Sequence, residues 1–223
     1  MTGQLTTISI IIVNVAVSLI GFKNRAFFKR YAFSIKGILQ QHQYDRLLVS
    51  TFLHADYVHL LFNMFSFYSF AFYLAGDFGS LFLILLFLGS AIGGDLLVLI
   101  IHRNHPDYRA VGASGGVAGV IFSAAVLFPG IRIMIFPLPF GLTPWLFSLI
   151  FVAVSVFGVT RQAGNIGHEA HLGGALSGIV ITALLYPSIV QNQLAIAVFI
   201  TLPVFFLLIA AIKAPHLLGR RSG

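Results

Sequence analysis

Residues 81–101 have the sequence LFLILLFLGSAIGGDLLVLII, in which Asp95 is the only charged residue. An apolar stretch of about 20 residues is long enough to cross the hydrocarbon core of a bilayer as an α-helix. Similar runs occur along the rest of the chain, without the alternation of polar and apolar residues that is typical of strands. The sequence therefore predicts an all-α polytopic membrane protein.

The composition of the whole chain agrees with this class. Of its 223 residues, 58% are hydrophobic and 9% are charged, whereas a soluble domain averages about 25% charged residues. These values exclude an ordinary soluble domain and intrinsic disorder. The absence of Cys excludes disulfides, thiolate metal ligands and a Cys nucleophile. Because the basic residues flank the apolar runs, we expect lipid headgroups as their partners and no nucleic acid.

Seven membrane spans fit the chain, within one membrane domain that covers residues 1–223. A six-span core covers about residues 5–186, and an extra span follows at about residues 194–212. The connection 23–46 mixes aromatic and basic residues, which suits either short helices in the membrane interface or a solvated loop. The predicted spans are 5–22, 57–75, 81–101, 114–128, 144–159, 168–186 and 194–212.

Polar residues inside predicted spans are candidates for function, because a polar side chain in a bilayer is costly and usually faces other helices or a cavity. His59 and Asn63 are four residues apart, so they share one face of a helix. Both side chains can donate a hydrogen bond from nitrogen. The pair could bind an anionic oxygen, or it could pack the second span against a neighbour.

Ser114 lies in the sequence Gly-Ala-Ser-Gly, between Gly112 and Gly115, where the fourth span begins. A helix N-terminus offers free backbone N–H groups and the positive end of the helix dipole. These features suit a nucleophile whose attack produces an oxyanion. The alternative is a plain Ser cap on a glycine-rich packing helix.

His171 begins the sequence His-Leu-Gly-Gly in the sixth span, and Gly178 follows Gly174 by four residues. The same spacing of small residues starts at Gly115 in the fourth span. Faces of small residues allow two helix axes to approach closely. If these two faces meet, Ser114 and His171 come within hydrogen-bonding distance of each other.

The sequence His168-Glu169-Ala170-His171 differs from the zinc motif HExxH, because its histidines are three residues apart instead of four. A third acidic ligand in a later span is also missing. We therefore expect no metal and no other cofactor. His168 is interpreted as an interfacial residue at the start of a helix.

The motifs HxxxN, GASG and AHLGG occur in this order on the second, fourth and sixth spans, and the combination resembles the rhomboid family of intramembrane serine proteases. The resemblance covers about residues 43–186. It implies a six-helix core with Ser114 as nucleophile and His171 as general base. It assigns His59, Asn63 and the backbone N–H of Ser114 to an oxyanion hole. The extra span resembles the "six plus one" variant of the family.

The resemblance also implies partners and a location. The substrates would be transmembrane proteins, cut where a helix unwinds, and the membrane would be the plasma membrane of a bacterium. The fifth span would act as a lateral gate. Its aromatic residues are Trp145, Phe147, Phe151 and Phe157.

The chain departs from the family pattern at two places. Asp45-Arg46 stands where the family often has Trp-Arg, and Ala118 stands where many members carry an aromatic residue that stacks on the catalytic His. We therefore expect packing against the nearby glycines to hold the ring of His171.

Two other functions stay open at this stage. A catalytically silent rhomboid-like protein would bind membrane proteins without cutting them, although such members lack the Ser or the His. A proton-coupled transporter would use the buried His residues, Asp95 and Glu169 as a relay, but transporters usually show repeats of their spans, and none is visible.

The distribution of basic residues conflicts with the resemblance on sidedness. With seven spans, 12 of the 13 Lys and Arg residues lie on the face where the Ser114 loop opens. The positive-inside rule would put that face in the cytoplasm, whereas the resemblance puts it outside. We follow the resemblance. The oligomeric state stays open.

Overall fold

The computed structural model describes the backbone of residues 2–134, 140–161 and 168–213, and the side chains of 3–134, 140–155 and 169–209. The helices are α1 (Thr2–Lys23), α2 (Arg25–Tyr31), α3 (Ile35–Leu39), α4 (Arg46–Val49), α5 (Tyr57–His102), α6 (Ser114–Leu127), α7 (Pro144–Arg161), α8 (His168–Leu185), α9 (Pro187–Asn192) and α10 (Leu194–Lys213). A 3₁₀ turn covers Ser50–Phe52, and the short strands are β1 (Phe33–Ser34), β2 (Arg109–Ala110), β3 (Ile133–Met134) and β4 (Gly141–Leu142).

Helix α5 contains two of the predicted spans. It is broken at Gly79, whose φ of 85° and ψ of 171° are not helical. Phe67 lies before the break and Phe87 after it, and their ring centroids are 5.0 Å apart, so the two halves fold back on each other. By length and composition, Gly3–Lys23 and Tyr57–His102 are long and apolar enough to cross a membrane. Shorter apolar segments lie in α6, α7, α8 and α10.

Helix α6 is the centre of the molecule, because all of its 14 residues are buried. It packs against α5, α7 and α8. A helix of 14 residues is about 21 Å long, which is shorter than the roughly 30 Å hydrocarbon core of a bilayer. If its C-terminus reaches one surface of the membrane, its N-terminus at Ser114 therefore lies below the other surface.

The last helices complete the predicted six-plus-one arrangement. Helix α8 ends at Leu185, the short helix α9 follows, and α10 then packs against α7 and α8. Residues 135–139, between α6 and α7, lie outside the described part of the chain.

The connection between α1 and α5, residues 24–56, packs against the loop between α5 and α6. Strand β1 pairs antiparallel with β2, with Phe33 opposite Ala110. Arg46 is buried and holds the connection together, because its guanidinium donates to the carbonyl oxygens of Lys29 and Ala32. Asp45, the departure from the family pattern, forms a partly exposed ion pair with Arg30 at 2.9 Å.

Candidate active site

Ser114 is the first residue of α6, and it is 8% exposed. The chain reaches it through Gly112, whose φ of 132° is unfavourable for residues with a Cβ atom. The Gly112 N–H donates to the carbonyl oxygen of Ser50 at 3.2 Å, and the Ser50 hydroxyl donates to Asp95 at 3.0 Å. The turn before Ser114 is therefore tied to α5 through Ser50.

His171 lies in the first turn of α8, and it is 9% exposed. Its Nδ1 atom is 2.8 Å from the Oγ atom of Ser155 on α7. The ring of Phe151, also on α7, lies with its centroid 5.0 Å from that of His171. The structure thus differs from the expectation that glycines would hold this ring: α7 supplies an aromatic contact and a hydrogen bond.

The backbones of α6 and α8 come close at two pairs of glycines. A Cβ atom on Gly178 would lie 2.5 Å from the Cα atom of Gly119. A Cβ atom on Gly174 would overlap the carbonyl oxygen of Gly115. A side chain at Gly174 or Gly178 would therefore require the two helices to shift, and the contact brings the N-terminal ends of the two helices together.

His59 and Asn63 lie in the first two turns of α5. The side chain of Asp56 caps this helix, because it accepts a hydrogen bond of 2.7 Å from the His59 backbone N–H. A Cβ atom on Gly112 would lie 3.0 Å from the Nε2 atom of His59 and 3.7 Å from the Oγ atom of Ser114, so the imidazole lies next to the turn before Ser114. The Asn63 amide donates to the carbonyl oxygen of His59 at 3.0 Å.

One cavity of about 190 Å³ is lined by His59, Asn63, Ser114 and His171. The structure therefore brings together all four residues that the motifs singled out, although they come from three separate helices. Phe62 and Val154, on the rim of the cavity, are 58% and 64% exposed. The residues that line it are His59, Phe62, Asn63, Ser66, Ser114, Val117, Phe151, Val154, Ser155 and His171.

His54 is fully buried beside this site, in the connection between the 3₁₀ turn and α5. Its Nδ1 atom is 2.9 Å from the hydroxyl of Ser18 on α1, and its ring lies 5.1 Å from that of His59. Burial, and to a lesser degree the neighbouring His59, lower the pKa of His54 from 6.5 to about 3. His54 is therefore neutral at physiological pH.

Glu169 does not join the site, although it is two residues from His171. Its carboxylate lies 3.4 Å from the Nε2 atom of His102, and both side chains are buried. The side chain of His168 lies outside the described residues. Among the described residues, no group of three or more His, Asp or Glu side chains could hold a metal ion.

Sequence reasoning missed Ser155 as a partner of His171, Ser50 as a partner of Gly112, and Ser18 as a partner of His54. A lone Ser in an apolar helix carries no signal of its partner. Because position 118 on α6 is Ala, no aromatic contact with His171 was predicted, and the structure supplies one from Phe151 on α7.

The fold, and the cavity that Ser114 and His171 line together, define a polytopic membrane protein with a site inside its helical core. A family model described as the Rhomboid domain matches residues 41–188. The chain therefore belongs to the rhomboid family.

This chain covers less than half of the length of each relative described below. Rhomboid protein 1, mitochondrial, of Saccharomyces cerevisiae is 31% identical over 159 residues, covering 68% of this chain and 46% of that protein. RHOMBOID-like protein 12, mitochondrial, of Arabidopsis thaliana is 29% identical, covering 58% and 43%. Inactive RHOMBOID-like protein 8 of the same plant is 31% identical over 91 residues, covering 41% and 26%.

Proposed function

We propose that this protein is an intramembrane serine endopeptidase that hydrolyses peptide bonds in or near transmembrane segments of membrane proteins. The observation that carries the proposal is the cavity that Ser114 and His171 line together, at the N-terminus of α6. A Ser hydroxyl becomes nucleophilic only when a base takes its proton, and neutral imidazole can do so at pH 7.

The reaction follows the general logic of acyl transfer. Ser114 Oγ attacks the carbonyl carbon of the substrate while its proton moves to His171. The resulting oxyanion accepts hydrogen bonds from backbone N–H groups at the start of α6 and from His59 and Asn63. His171 then gives its proton to the leaving amine, and an acyl-enzyme remains on Ser114. Water, deprotonated by His171, hydrolyses this ester and restores the free hydroxyl.

The exposed rim of the cavity supports entry of the substrate from the side. Phe62 lies on the first half of α5, Val154 lies on α7, and both face outward. A peptide could therefore reach Ser114 between these two helices. The proposal therefore includes α7 as a lateral gate; the side chain of Phe157, one of the expected gate residues, lies outside the described part.

A catalytically silent membrane-protein binder is the second candidate, because one relative is named as inactive. The proton-coupled transporter has less support. Asp95 bonds to Ser50, and Glu169 lies beside His102, so the two carboxylates have different partners.

The relatives give no support to a bacterial plasma membrane, since those named are mitochondrial or plant proteins. The proposal for location is therefore that this is an integral membrane protein, and no organelle is assigned.

The proposal is tested with the purified protein in lipid vesicles and a tagged single-span substrate. The wild type should cleave it and react with a fluorophosphonate. Ser114→Ala should lose both activities, with a fall in cleavage on the order of 10⁴-fold or more. His171→Ala should lose cleavage while it stays folded, and a chelator should change nothing. Cleavage that survives Ser114→Ala would refute the proposal, whereas binding of the substrate without cleavage by the wild type would favour the silent binder.

A further inference from the structure

We propose that Ser155 is the positioning residue of the catalytic base: its hydroxyl accepts a hydrogen bond from Nδ1–H of His171 and so keeps Nε2 as the nitrogen that takes the proton from Ser114. This inference rests on the proposed function. It adds a third group to the Ser–His pair, from α7, a helix that carries none of the motif residues.

The first step is the position of the one hydrogen that the Ser155 hydroxyl carries. Its Oγ atom is 2.7 Å from the carbonyl oxygen of Phe151. A carbonyl oxygen can only accept, so two oxygens this close require the hydroxyl hydrogen between them. Ser155 therefore donates to Phe151 and has only lone pairs left for other partners.

The second step concerns His171. Its Nδ1 atom is 2.8 Å from the same Oγ atom. Because the hydroxyl hydrogen is already used, Nδ1 must be the donor of this hydrogen bond. In a neutral imidazole, one ring nitrogen is protonated and the other is an acceptor, so Nε2 carries the lone pair. This is the tautomer in which Nε2 can act as the base.

The third step is the surroundings of the pair. Ser155 is 2% exposed, so water competes little for its lone pairs. The ring of Phe151, one turn earlier on α7, contacts His171 from the same side. The two groups together fix the direction of Nδ1–H and the plane of the ring. Ser155 thereby has the role of an orienting acceptor, which is a carboxylate in many serine hydrolases.

The test compares Ser155→Ala with Ser148→Ala in the full-length protein in vesicles. Ser148 is a matched control, because it is also a fully buried Ser on α7 whose hydroxyl donates to its own helix, at 2.7 Å to the Trp145 carbonyl oxygen. Ser155→Ala should lower kcat about 10-fold, as expected for the loss of one neutral hydrogen bond, and leave KM unchanged. Ser148→Ala should leave both values unchanged, and Ser155→Thr, which keeps the hydroxyl, should restore most of kcat.

A second measurement reports the tautomer without catalysis. In protein labelled with ¹⁵N-histidine, the signals of His171 are assigned by their loss in His171→Gln. The wild type should show a protonated Nδ1 and an unprotonated Nε2 at neutral pH, and Ser155→Ala should show a mixture of tautomers. If Ser155→Thr does not restore kcat, the His171 tautomers of the wild type and of Ser155→Ala decide whether Ser155 positions the ring.

Two results would overturn the inference: a wild-type His171 with an unprotonated Nδ1, or a Ser155→Ala variant with the kcat and tautomer of the wild type. Failure of the proposed function has a different signature. In that case, cleavage is absent or survives Ser114→Ala, while the spectrum still reports whether Ser155 holds Nδ1–H.

Discussion

Replacing Gly178 with alanine should force α6 and α8 apart. The new Cβ atom would lie 2.5 Å from the Cα atom of Gly119 and 2.6 Å from its carbonyl oxygen. Ordinary van der Waals contacts of a Cβ atom begin at 3.4 Å. The obstacle is the backbone of a buried helix, which cannot move aside as a side chain can. The helices must therefore separate by a distance on the order of 1 Å, since close packing leaves no free space.

Two opposing effects set the size of the change. Alanine is favoured over glycine inside a helix by about 0.5–1 kcal/mol. Overpacking of a core typically costs about 1–3 kcal/mol, and a clash with backbone belongs at the upper end. We expect the free energy of unfolding to fall by about 1–2 kcal/mol. Because α8 also carries His171, a shift of about 1 Å should slow cleavage about 10²-fold.

The assay is reversible unfolding in micelles, followed by cleavage measured at equal amounts of folded protein. Gly76→Ala is the matched control, because Gly76 is also inside a helix and a Cβ atom there would meet nothing within 4 Å. The control should be neutral or stabilised by about 0.5–1 kcal/mol. A Gly178→Ala variant that matches this control in stability and rate would refute the close contact of α6 and α8.

Three further predictions concern α5 and the residues before it. His59→Ala and Asn63→Ala should each slow cleavage about 10²–10³-fold at near wild-type stability, as for loss of an oxyanion donor; unchanged turnover would make them packing residues. Because the pKa of His54 is about 3 in the folded protein and 6.5 without burial, the unfolded chain binds more protons below pH 6.5. The free energy of unfolding should therefore decrease as the pH is lowered from about 6.5 to about 3, by up to about 1.4 kcal/mol per pH unit. His54→Asn should flatten this slope in a pH series of unfolding curves. Gly79→Ala should destabilise the protein by about 1–3 kcal/mol in the same assay, since φ of 85° with ψ of 171° is a glycine conformation; equal stability would contradict it.

The membrane helices were predictable because each condition for them is local. A span needs about 20 apolar residues, and its ends are marked by Gly, Pro or charged residues. The sequence GDFGS at residues 76–80 separates the runs 57–75 and 81–101 in this way, and the structure breaks α5 within it, at Gly79. The motif residues were also found locally, by their types and spacings within single helices.

The partners of His171 were not predictable from the sequence, and a comparison of two serines shows why. Ser148 and Ser155 lie on the same apolar helix, and each donates to its own helix backbone. Nothing in the sequence around them distinguishes one from the other. Only the packing of α7 against α8 brings Ser155, and not Ser148, next to His171. The same holds for Phe151: because position 118 is Ala, the sequence predicted packing against glycines and no aromatic contact with His171.

The placement of Ser155 links the proposed route of substrate entry to the orientation of the proposed base, His171. The proposed route passes between Phe62 of α5 and Val154 of α7, which are exposed residues of the cavity, and Val154 is the immediate neighbour of Ser155. A substrate that pushes α7 far from α5 would also move Ser155 away from His171 and so disturb the base. An intact helix is about 10–12 Å wide, whereas an extended strand occupies only about 5 Å between its neighbours. The proposed protease should therefore cut substrate segments that have already unwound, because only these enter without displacing the helix that contacts His171.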